Sequence, residues 1–371
     1  MNRYRWVERK SANGNIYSIC EDLMAIPNFY FSLVVYIYPT PKMAEDNESL
    51  GGSGFLIGVA ADNNDGWYLY AVTNRHVIEG IKNKSSKECG VRFNTKDNKT
   101  DVVPIPVERW IYHPDGDDLA VCLLKPSTNW NYGFITEDWL LRDEFIRGDI
   151  FSDWNSPPTV IIDMEKNGDE EKWKEVHQMG IGDETITVGR FIKHAGTTLN
   201  YPVVRKGHIA MLPFEPIQQA GRDFKQDSFL VETYSIGGFS GSPVFVQTAC
   251  NVRNKTPTSN GTAFQQKMFL LGIDWGHFDF EGDLIDPQTG EVKTPSGMMC
   301  VVPAWKLQEL LHTTELVMQR KELDKEVKKR REVGASMDSA SGEITQQEFE
   351  NVLSNVTRKT KPNKSKDMHK L

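Results

Sequence analysis

Three short stretches contain the residue types that nucleophilic catalysis by a serine requires. GGFSGSPVF (237–245) presents Ser240 with a glycine directly after it. His76 lies in YAVTNRHVIEG (70–80), where a β-rich run ends in a polar turn, and Asp118 is the last polar residue before the apolar run LAVCLL. A serine hydroxyl becomes nucleophilic when a histidine takes its proton and a buried carboxylate orients that histidine. The sequence contains a candidate for each role.

Each stretch also has an ordinary structural interpretation. Glycine and serine cluster in turns, and an aspartate before a strand is usually a turn residue. A histidine at a strand end can simply be a packing residue. Asp115 and Asp117 are interpreted as solvent-facing turn residues, and Ser242 as a structural hydroxyl. The chemical interpretation therefore depends on the three stretches together.

The composition indicates a globular protein with an acidic body and a basic end. The chain has 371 residues, of which 39% are hydrophobic and 25% charged, enough for one large domain or two. From Gln319 onward there are 13 Lys and Arg against 9 Asp and Glu, whereas the remainder has 30 against 42. An acidic body argues against a nucleic-acid-binding core.

The cysteines and the N-terminus indicate a cytoplasmic protein. The five cysteines have wide, irregular spacings without a CxxC pair, so neither a disulfide framework nor a metal or redox site is predicted. The N-terminus has charge but no apolar run behind it, so no signal peptide is predicted. FYFSLVVYIYP (29–39) is too short to span a bilayer and is interpreted as a strand. We expect no membrane contact and no cofactor. The cysteines are Cys20, Cys89, Cys122, Cys250 and Cys300.

Most of the chain from Phe29 to Asp274 consists of short β-type runs broken by Gly, Pro, Asn and Asp, which indicates a sandwich or barrel. The clearest runs are 54–60, 67–73, 102–107, 118–125, 185–191, 229–235, 243–248 and 268–275. A helix is predicted at 136–147, with Trp139 and Leu140 facing inward, before an acidic loop at 163–175. Helical periodicity becomes clear only after Pro303.

Taken in chain order, these stretches resemble the trypsin-like (chymotrypsin-fold) serine peptidases, in the style of bacterial-type members without disulfides such as the HtrA group. TNRHV resembles their histidine motif, DLAVCLL their aspartate before an apolar strand, and GFSGSPVF their G-x-S-G-[GS]-P serine motif. GSGFLIG (52–58), GIDWG (272–276) and SGMMCVVPAWKLQELL (296–311) resemble further elements in the expected order. The resemblance covers roughly 29–312, and the remaining tail is too short and polar for a PDZ domain.

The resemblance implies an all-β fold of two six-stranded antiparallel β-barrels with a C-terminal helix. The expected segments are an N-terminal extension (1–28), a first barrel (29–132), a connecting segment (133–184), a second barrel (185–302), a helix (303–333) and a flexible tail (334–371).

The resemblance also implies roles for individual residues. Ser240 would attack a peptide carbonyl, His76 would accept its proton, and Asp118 would orient the imidazole. The backbone N–H groups of Gly238 and Ser240 would form the oxyanion hole. Phe239 stands where the digestive enzymes carry an aspartate that receives a newly cut N-terminus, so that zymogen switch is not expected.

The substrate-binding positions implied by the resemblance contain no acidic floor. They are Tyr234, Ser235, Asp274, Trp275, Gly276 and Gly297. The floor is expected near Tyr234 or Ser235, and the two glycines leave the entrance open, so we expect small or medium-sized apolar side chains before the cleaved bond. Asp274 replaces a serine that often backs the catalytic carboxylate in this family, and a second carboxylate there could repel Asp118.

Other interpretations explain less of the chain. The strongest is an idle trypsin-like fold that binds peptides or serves as a scaffold. GFSGS also approaches the G-x-S-x-G elbow of α/β-hydrolases, but only Asp274 and His277 could follow as its acid and base, and helices are scarce. GGSGFLIG lacks the spacing and the helix of a dinucleotide loop.

Residues 337–353 resemble half of an EF-hand but have too few carboxylates, so a short helix is expected. The basic end (356–370) could attract acidic partners such as nucleic acid, although such tails are usually solvated.

Overall fold

The computed structural model is built mainly of β-strands. It describes residues 4–10, 16–22, 26–48, 51–62, 66–84, 86–142, 160–164, 175–192, 196–219, 223–233, 238–252, 263–286, 290–334 and 347–353. The first two strands, β1 (Tyr4–Lys10) and β2 (Ile16–Asp22), pair with each other. No helix within these ranges has the length and apolar character needed to cross a membrane.

The first half of the fold is a curved antiparallel sheet. Its strands are β3 (Val34–Tyr38), β4 (Gly52–Ala60), β5 (Trp67–Thr73), β6 (Glu88–Asn94), β7 (Thr100–Pro106), β8 (Ile111–Tyr112) and β9 (Ala120–Leu124). They are joined in the order β7-β6-β3-β4-β5-β9-β8, and β10 (Ile135–Thr136) pairs with β4 in parallel. The sheet path ends at β7 and β8, so this half is a half-barrel. Helices α1 (Asn28–Ser32), α2 (Pro41–Glu45) and α3 (Arg75–Asn83) lie in its connections.

The central parts of β4 and β5 are mostly apolar because they are buried on both faces. Phe55 and Val72 pack in one hydrophobic cluster, whereas Leu56 and Ala71 pack in another. Successive side chains of a strand point to opposite faces, so a strand covered on both sides needs apolar residues at nearly every position. The run predicted at 67–73 has the same bounds as β5.

The second half of the fold is a closed barrel of six strands. Its members are β13 (Glu184–Gly189), β14 (Val203–Met211), β17 (Phe229–Glu232), β18 (Pro243–Val252), β19 (Ala263–Asp286) and β20 (Gly290–Pro303). The order β18-β13-β14-β17-β20-β19 returns to β18, which closes the ring. A hairpin of β11 (Val160–Met164) and β12 (Glu175–Met179) extends the sheet from β18, and β15 (Ile217–Gln218) pairs separately with β16 (Lys225–Gln226). The predicted mostly-β, chymotrypsin-like fold is confirmed, with one barrel closed and the other half-open.

Two local predictions differ from the structure. The run at 29–39 was expected to be one strand, but α1 occupies its first part and β3 its second. Ser32 Oγ donates a 2.7 Å hydrogen bond to the Phe29 carbonyl, and the Tyr30 ring packs edge-on against Phe245, so the turn is fixed by contacts with the second barrel. The helix predicted at 136–147 is only a 3₁₀ turn at Glu137–Trp139, and residues 143–147 lie outside the described residues. Leu140 is buried as expected.

The C-terminal helix predicted at 303–333 is two helices. They are α4 (Ala304–Leu311) and α5 (Thr314–Gly334), separated at His312 and Thr313. The break is stabilised by Arg320 of α5, whose guanidinium donates hydrogen bonds to the Leu311 carbonyl at 3.0 Å and to the Tyr70 hydroxyl at 2.9 Å. The helical end of the chain is therefore attached to β5, the strand that leads to His76.

Part of the predicted flexible tail is also ordered. Residues 347–353 are helical, with Phe349 and Leu353 buried in the core cluster. Arg109 forms a 2.7 Å ion pair with Glu350 and lies 5.5 Å from the centre of the Phe349 ring. These contacts explain why a charged tail returns to the first half of the fold.

The two halves are joined through Ser53 on β4. Its amide donates a 2.9 Å hydrogen bond to the Ser240 carbonyl. Its hydroxyl donates to the Gly238 carbonyl and accepts from the Arg190 amide, both at 2.8 Å. Thr73 Oγ1 donates to the Ser53 carbonyl at 2.8 Å. Since Ser53 is fully buried, it joins the end of β5 to the loop before β18 without competition from water.

A second junction between the halves uses buried polar groups of β6. The Arg92 guanidinium donates to the Gly196 and Thr197 carbonyls. Asn94 and Asn200 exchange hydrogen bonds of 3.0 and 2.7 Å. Both halves are therefore held in one arrangement by hydrogen bonds whose geometry is specific, as well as by apolar packing.

We expect Ser53→Ala to destabilise the protein without changing its core volume. The substitution leaves the Arg190 amide without this acceptor and the Gly238 carbonyl without this donor. A buried polar group left unsatisfied costs about 1–3 kcal/mol, so the free energy of unfolding in urea should fall by about 2 kcal/mol or more. Ser86→Ala, which removes an exposed 2.9 Å bond to the Glu88 carbonyl, is the matched control. Equal stabilities of the two variants would contradict the role given to Ser53.

We expect Phe349→Ala to release the helix at 347–353. Removing a buried phenylalanine side chain costs about 3–5 kcal/mol of packing, more than a seven-residue helix can supply alone. Hydrogen exchange measured by mass spectrometry should show faster exchange at 347–353 and little change in the barrels. Asn351→Ala, on the exposed face of the same helix, should retain protection. Unchanged protection in Phe349→Ala would show that other contacts hold the segment.

Candidate active site

His76 and Asp118 are in direct contact at one end of the half-barrel. Asn74 is the N-cap position of α3, which begins at Arg75 immediately after β5. The Asn74 side chain donates a 2.9 Å hydrogen bond to the Asp118 carbonyl. The end of β5 therefore fixes both the helix that carries His76 and the main chain of Asp118.

The Asp118 carboxylate binds His76 with both oxygens. Oδ1 accepts a 2.8 Å hydrogen bond from the His76 amide, and Oδ2 lies 2.6 Å from His76 Nδ1. An Nδ1–H tautomer donates to that oxygen. The Asp118 side chain is only 3% exposed, whereas the His76 side chain is 42% exposed. The buried carboxylate therefore orients an imidazole that remains accessible.

The loop that carries Ser240 has a backbone that requires glycine at two positions. Gly238 has φ +97° and Gly241 has φ +88°. A β-carbon at Gly238 would lie 2.3 Å from the Ile192 side chain, and one at Gly241 would lie 2.1 Å from the Ser53 carbonyl oxygen. Glycine is the residue that tolerates both the dihedral angles and the close approach.

The Ser240 loop and the His76 helix meet at Gly52. A β-carbon added at Gly52 would lie 2.8 Å from Val77 and 3.2 Å from the Ser240 carbonyl oxygen. Val77 is the residue after His76, so the absence of a side chain at Gly52 allows the two segments to approach each other. The structure thus brings His76 and Asp118 into contact and places the main chain of Ser240 beside the same helix.

The amides of Gly238 and Ser240 are available as hydrogen-bond donors. Among the residues that the structure describes, neither amide donates a hydrogen bond. By contrast, the Gly241 amide donates to the Asp274 carbonyl at 2.9 Å and the Ser242 amide to the Phe239 carbonyl at 2.8 Å. The loop is therefore held by the amides of Gly241 and Ser242.

Four of the expected substrate-binding residues lie on β19 or β20. Gly276 pairs with Cys300 in the β19–β20 ladder, and Gly297 has φ +79°. A β-carbon at Gly276 or Gly297 would meet nothing within 4 Å among the described residues. The Trp275 indole donates a 3.1 Å hydrogen bond to Ser228 Oγ. Tyr234 and Ser235, the expected pocket floor, lie outside the described residues.

Asp274 and Ser242 are fully buried structural residues. Asp274 Oδ1 accepts a 3.0 Å hydrogen bond from the Gly276 amide, and its own amide donates to the Ser242 carbonyl at 3.0 Å. Burial, assisted by the Asp274 charge, raises the pKa of the nearby Cys300 thiol to about 12. The Ser242 side chain is completely buried, which argues against a role as a rival nucleophile.

The interpretation of Asp117 as a solvent-facing residue was wrong, whereas Asp115 is exposed as expected. Asp117 Oδ2 lies 2.9 Å from His113 Nδ1, and Oδ1 accepts a 2.5 Å hydrogen bond from Gln226 Nε2. Burial opposes ionisation of Asp117, but His113, the charge of Lys306 and the Gln226 bond together hold its pKa below the usual range. The aspartate is buried because the second half of the fold covers it with polar partners.

One cluster near this loop has the residue types of a cation site. Ligand atoms of His113, Asp115 and Glu309 lie within 4.8 Å of one another. The Lys306 ammonium, however, lies 3.3 Å from Glu309 Oε2 and 3.8 Å from Asp117 Oδ2. A positive charge thus already lies beside Glu309 in this cluster. Burial acts to lower the Lys306 pKa, but the charges of Asp117, Glu309 and Asp227 outweigh it and raise the pKa above its usual value.

Sequence reasoning missed two residues that position the site. Ser53 lies in GGSGF, where the glycines suggested only a tight strand entry. Gln226 lies in a polar stretch without a motif, and its amide oxygen accepts a 2.9 Å hydrogen bond from the Asp118 amide, 108 positions earlier in the chain. No local pattern distinguishes such a glutamine, because its partner is determined by the tertiary fold.

Comparison with known proteins gives only distant structural matches. No family model matches this chain, and no curated protein matches it. The crystal structure of Deg5 aligns at 14% identity over 66% of this chain and 79% of that chain, with a TM-score of 0.33. The inactive, serine-to-alanine form of Rv3671c from M. tuberculosis H37Rv aligns at 14% identity over 77% and 93%, with a TM-score of 0.34. At these values the assignment of a chymotrypsin-like fold rests on the strand pairing itself.

Proposed function

We propose that this chain is a serine endopeptidase that uses Ser240 as nucleophile, His76 as general base and Asp118 as the orienting acid. The observation that carries the proposal is the two-point contact of a buried Asp118 carboxylate with an accessible His76, next to a loop with glycine-dependent geometry around Ser240. A buried carboxylate beside an accessible imidazole supplies the general base and its orienting group, which a serine hydrolase requires.

The reaction follows from the groups that the pair can supply. Asp118 holds the Nδ1–H tautomer, so the other ring nitrogen, Nε2, takes the hydroxyl proton as Ser240 Oγ bonds to the peptide carbonyl carbon. The imidazolium then gives that proton to the leaving amine as the C–N bond breaks. A water molecule, deprotonated by the same nitrogen, hydrolyses the acyl-enzyme and releases the carboxylic acid product.

The oxyanion of each tetrahedral intermediate would bind the amides of Gly238 and Ser240. These groups form no hydrogen bonds with described residues, so they need not break one before binding the oxyanion. Removal of one such donor typically costs about 3–4 kcal/mol of barrier. The φ of +97° at Gly238 makes this donor sensitive to any side chain at that position.

The substrate is a protein or peptide with a small or medium-sized apolar residue before the cleaved bond. Open space beside Gly276 and Gly297 admits such a side chain. We also place the activity in the cytoplasm, because the described cysteines Cys89, Cys122 and Cys300 are free and buried, as suits a reducing compartment. No cofactor takes part in the proposed reaction.

We expect a fluorophosphonate probe to label Ser240 and no other serine. Labelling should disappear in Ser240→Ala and His76→Ala, since an unactivated hydroxyl does not react, while His208→Ala at an exposed position should label normally. Mass spectrometry of the labelled peptide identifies the residue. With a cleaved peptide in hand, kcat should fall about 10⁶-fold in Ser240→Ala and about 10⁴-fold in Asp118→Asn.

The competing function, a peptide-binding scaffold with an idle site, predicts the opposite outcome. In that case wild-type protein would bind peptides but would not react with the probe, and Ser240→Ala would leave peptide affinity unchanged. Labelling that persists in His76→Ala would also contradict the proposal, because it would mean that the hydroxyl does not need the imidazole.

We expect a peptide library to be cleaved after small or medium-sized apolar residues. Gly276→Leu should reduce cleavage after the larger of these residues most, because a β-carbon there meets open space and the added side chain would enter the pocket. Cleavage after the smallest residue in the same library serves as the internal control. A profile dominated by lysine or arginine would refute the assignment of an uncharged pocket.

A further inference from the structure

We propose that the β15–β16 hairpin of the second half positions Asp118, and that Gln226 is the positioning residue. The catalytic consequence of this proposal rests on the function proposed above, whereas the structural consequence for His76 does not. Gln226 touches neither His76 nor Ser240 among the contacts described, so it would act only through the loop that carries Asp118.

The main chain of Asp118 is held from both halves of the fold. Its carbonyl accepts the 2.9 Å hydrogen bond from Asn74, at the end of β5. Its amide donates a 2.9 Å hydrogen bond to Gln226 Oε1, at the end of β16. Because a single methylene group separates the carboxylate from this main chain, the two attachments together limit where its oxygens lie relative to His76.

The Gln226 side chain has only one favourable orientation. Its Oε1 receives two donors, the Asp118 amide and Gln219 Nε2, each at 2.9 Å. Its Nε2 faces two acceptors, Asp117 Oδ1 at 2.5 Å and the Asp227 carbonyl at 3.2 Å. Rotating the amide by 180° would place donors against donors and acceptors against acceptors. Gln226 is also completely buried, so water cannot compensate for the loss of these bonds.

The rest of the hairpin supports the same loop. The backbone amide of Gln219 donates a 2.9 Å hydrogen bond to the Phe224 carbonyl, which aligns the two strands. The Phe224 ring lies against Gly116, where an added β-carbon would be 2.9 Å from it. Gly116 has φ +102°. The hairpin therefore contacts the turn before Asp118 at Gly116, Asp117 and Asp118 itself, and provides a continuous support for it.

The arrangement also explains how two adjacent buried carboxylates, Asp117 and Asp118, come to contact different histidines. The Gln226 amide separates them by binding the side chain of Asp117 and the main chain of Asp118. Asp117 is directed toward His113, and Asp118 remains available to His76. Without Gln226, the Asp117 carboxylate would lose a donor while the Asp118 amide would lose its acceptor, so the loop would have to rearrange.

The test compares Gln226→Leu, which preserves side-chain size and removes all four hydrogen bonds, with Gln218→Leu at an exposed position of the same hairpin. Long-range ¹H–¹⁵N spectra of histidine-labelled protein report which ring nitrogen of His76 carries the proton, and His76→Asn identifies the signal. We expect a fixed Nδ1–H tautomer in wild type and Gln218→Leu, and loss of this fixed tautomer in Gln226→Leu. Gln226→Glu, which replaces the donor facing Asp117 by an oxygen, should change in the same direction and serves if Gln226→Leu does not fold.

Activity provides the second readout. In Gln226→Leu, kcat should fall about 10- to 100-fold with little change in KM, as expected when a catalytic group is displaced by about 1 Å. A lower thermal stability with an unchanged tautomer and unchanged kcat would mean that Gln226 is only structural, and would overturn the proposal. If wild-type Ser240 never reacts with the fluorophosphonate but Gln226→Leu still changes the His76 tautomer, the peptidase proposal fails and the positioning role stands.

Discussion

The hydrogen bonds of Ser53 determine where the parts of the candidate site lie relative to one another. Its carbonyl is bound by Thr73 at the end of β5, immediately before the helix of His76. Its amide and hydroxyl bind the Ser240 and Gly238 carbonyls of the loop before β18. A single buried residue thus connects the end of β5, which leads to His76, with the loop that carries Ser240. Since hydrogen bonds depend on distance and angle, this junction sets a specific separation that apolar packing alone would not define.

A half-open first sheet makes such junctions necessary. The second barrel closes on itself through the β18–β19 pairing, so its shape is fixed by its own hydrogen bonds. The first sheet ends at β7 and β8, and hydrogen bonds to the second half provide part of its support. Arg92 donates to the Gly196 and Thr197 carbonyls, the Asn94 side chain to the Asn200 carbonyl, and the Asp118 amide to the Gln226 side chain. His76 and Asp118 both belong to this open half. Their geometry therefore depends on assembly of the whole fold.

The sequence predicted those features that depend on local pattern. Strand β5 had the expected bounds because its last five residues, Leu69–Thr73, are all buried, and Asp118 was the candidate for a buried carboxylate because it directly precedes an apolar strand. The sequence could not predict that Asp117 is buried too, since its partners Gln226 and Lys306 lie on the separate strand β16 and in the C-terminal helix α4. For the same reason, Ser32 and Tyr30 form a helical turn in a run of β-formers, and Phe349 docks a charged tail. In each case contacts distant in sequence outweigh the local preference.

The loop of Asp117 and Asp118 contains two carboxylate–histidine pairs, and exposure decides which one can perform chemistry. In both pairs a buried aspartate lies within 3 Å of Nδ1, at 2.9 Å for His113 and 2.6 Å for His76. The His113 side chain is 0% exposed, with Glu309 and Lys306 beside it, whereas the His76 side chain is 42% exposed next to the Ser240 loop. A general base must reach both a substrate group and a route for its proton. Of the two rings only that of His76 is exposed, so only this pair could perform the proposed acid–base role, whereas the His113–Asp117 pair is enclosed in the fold.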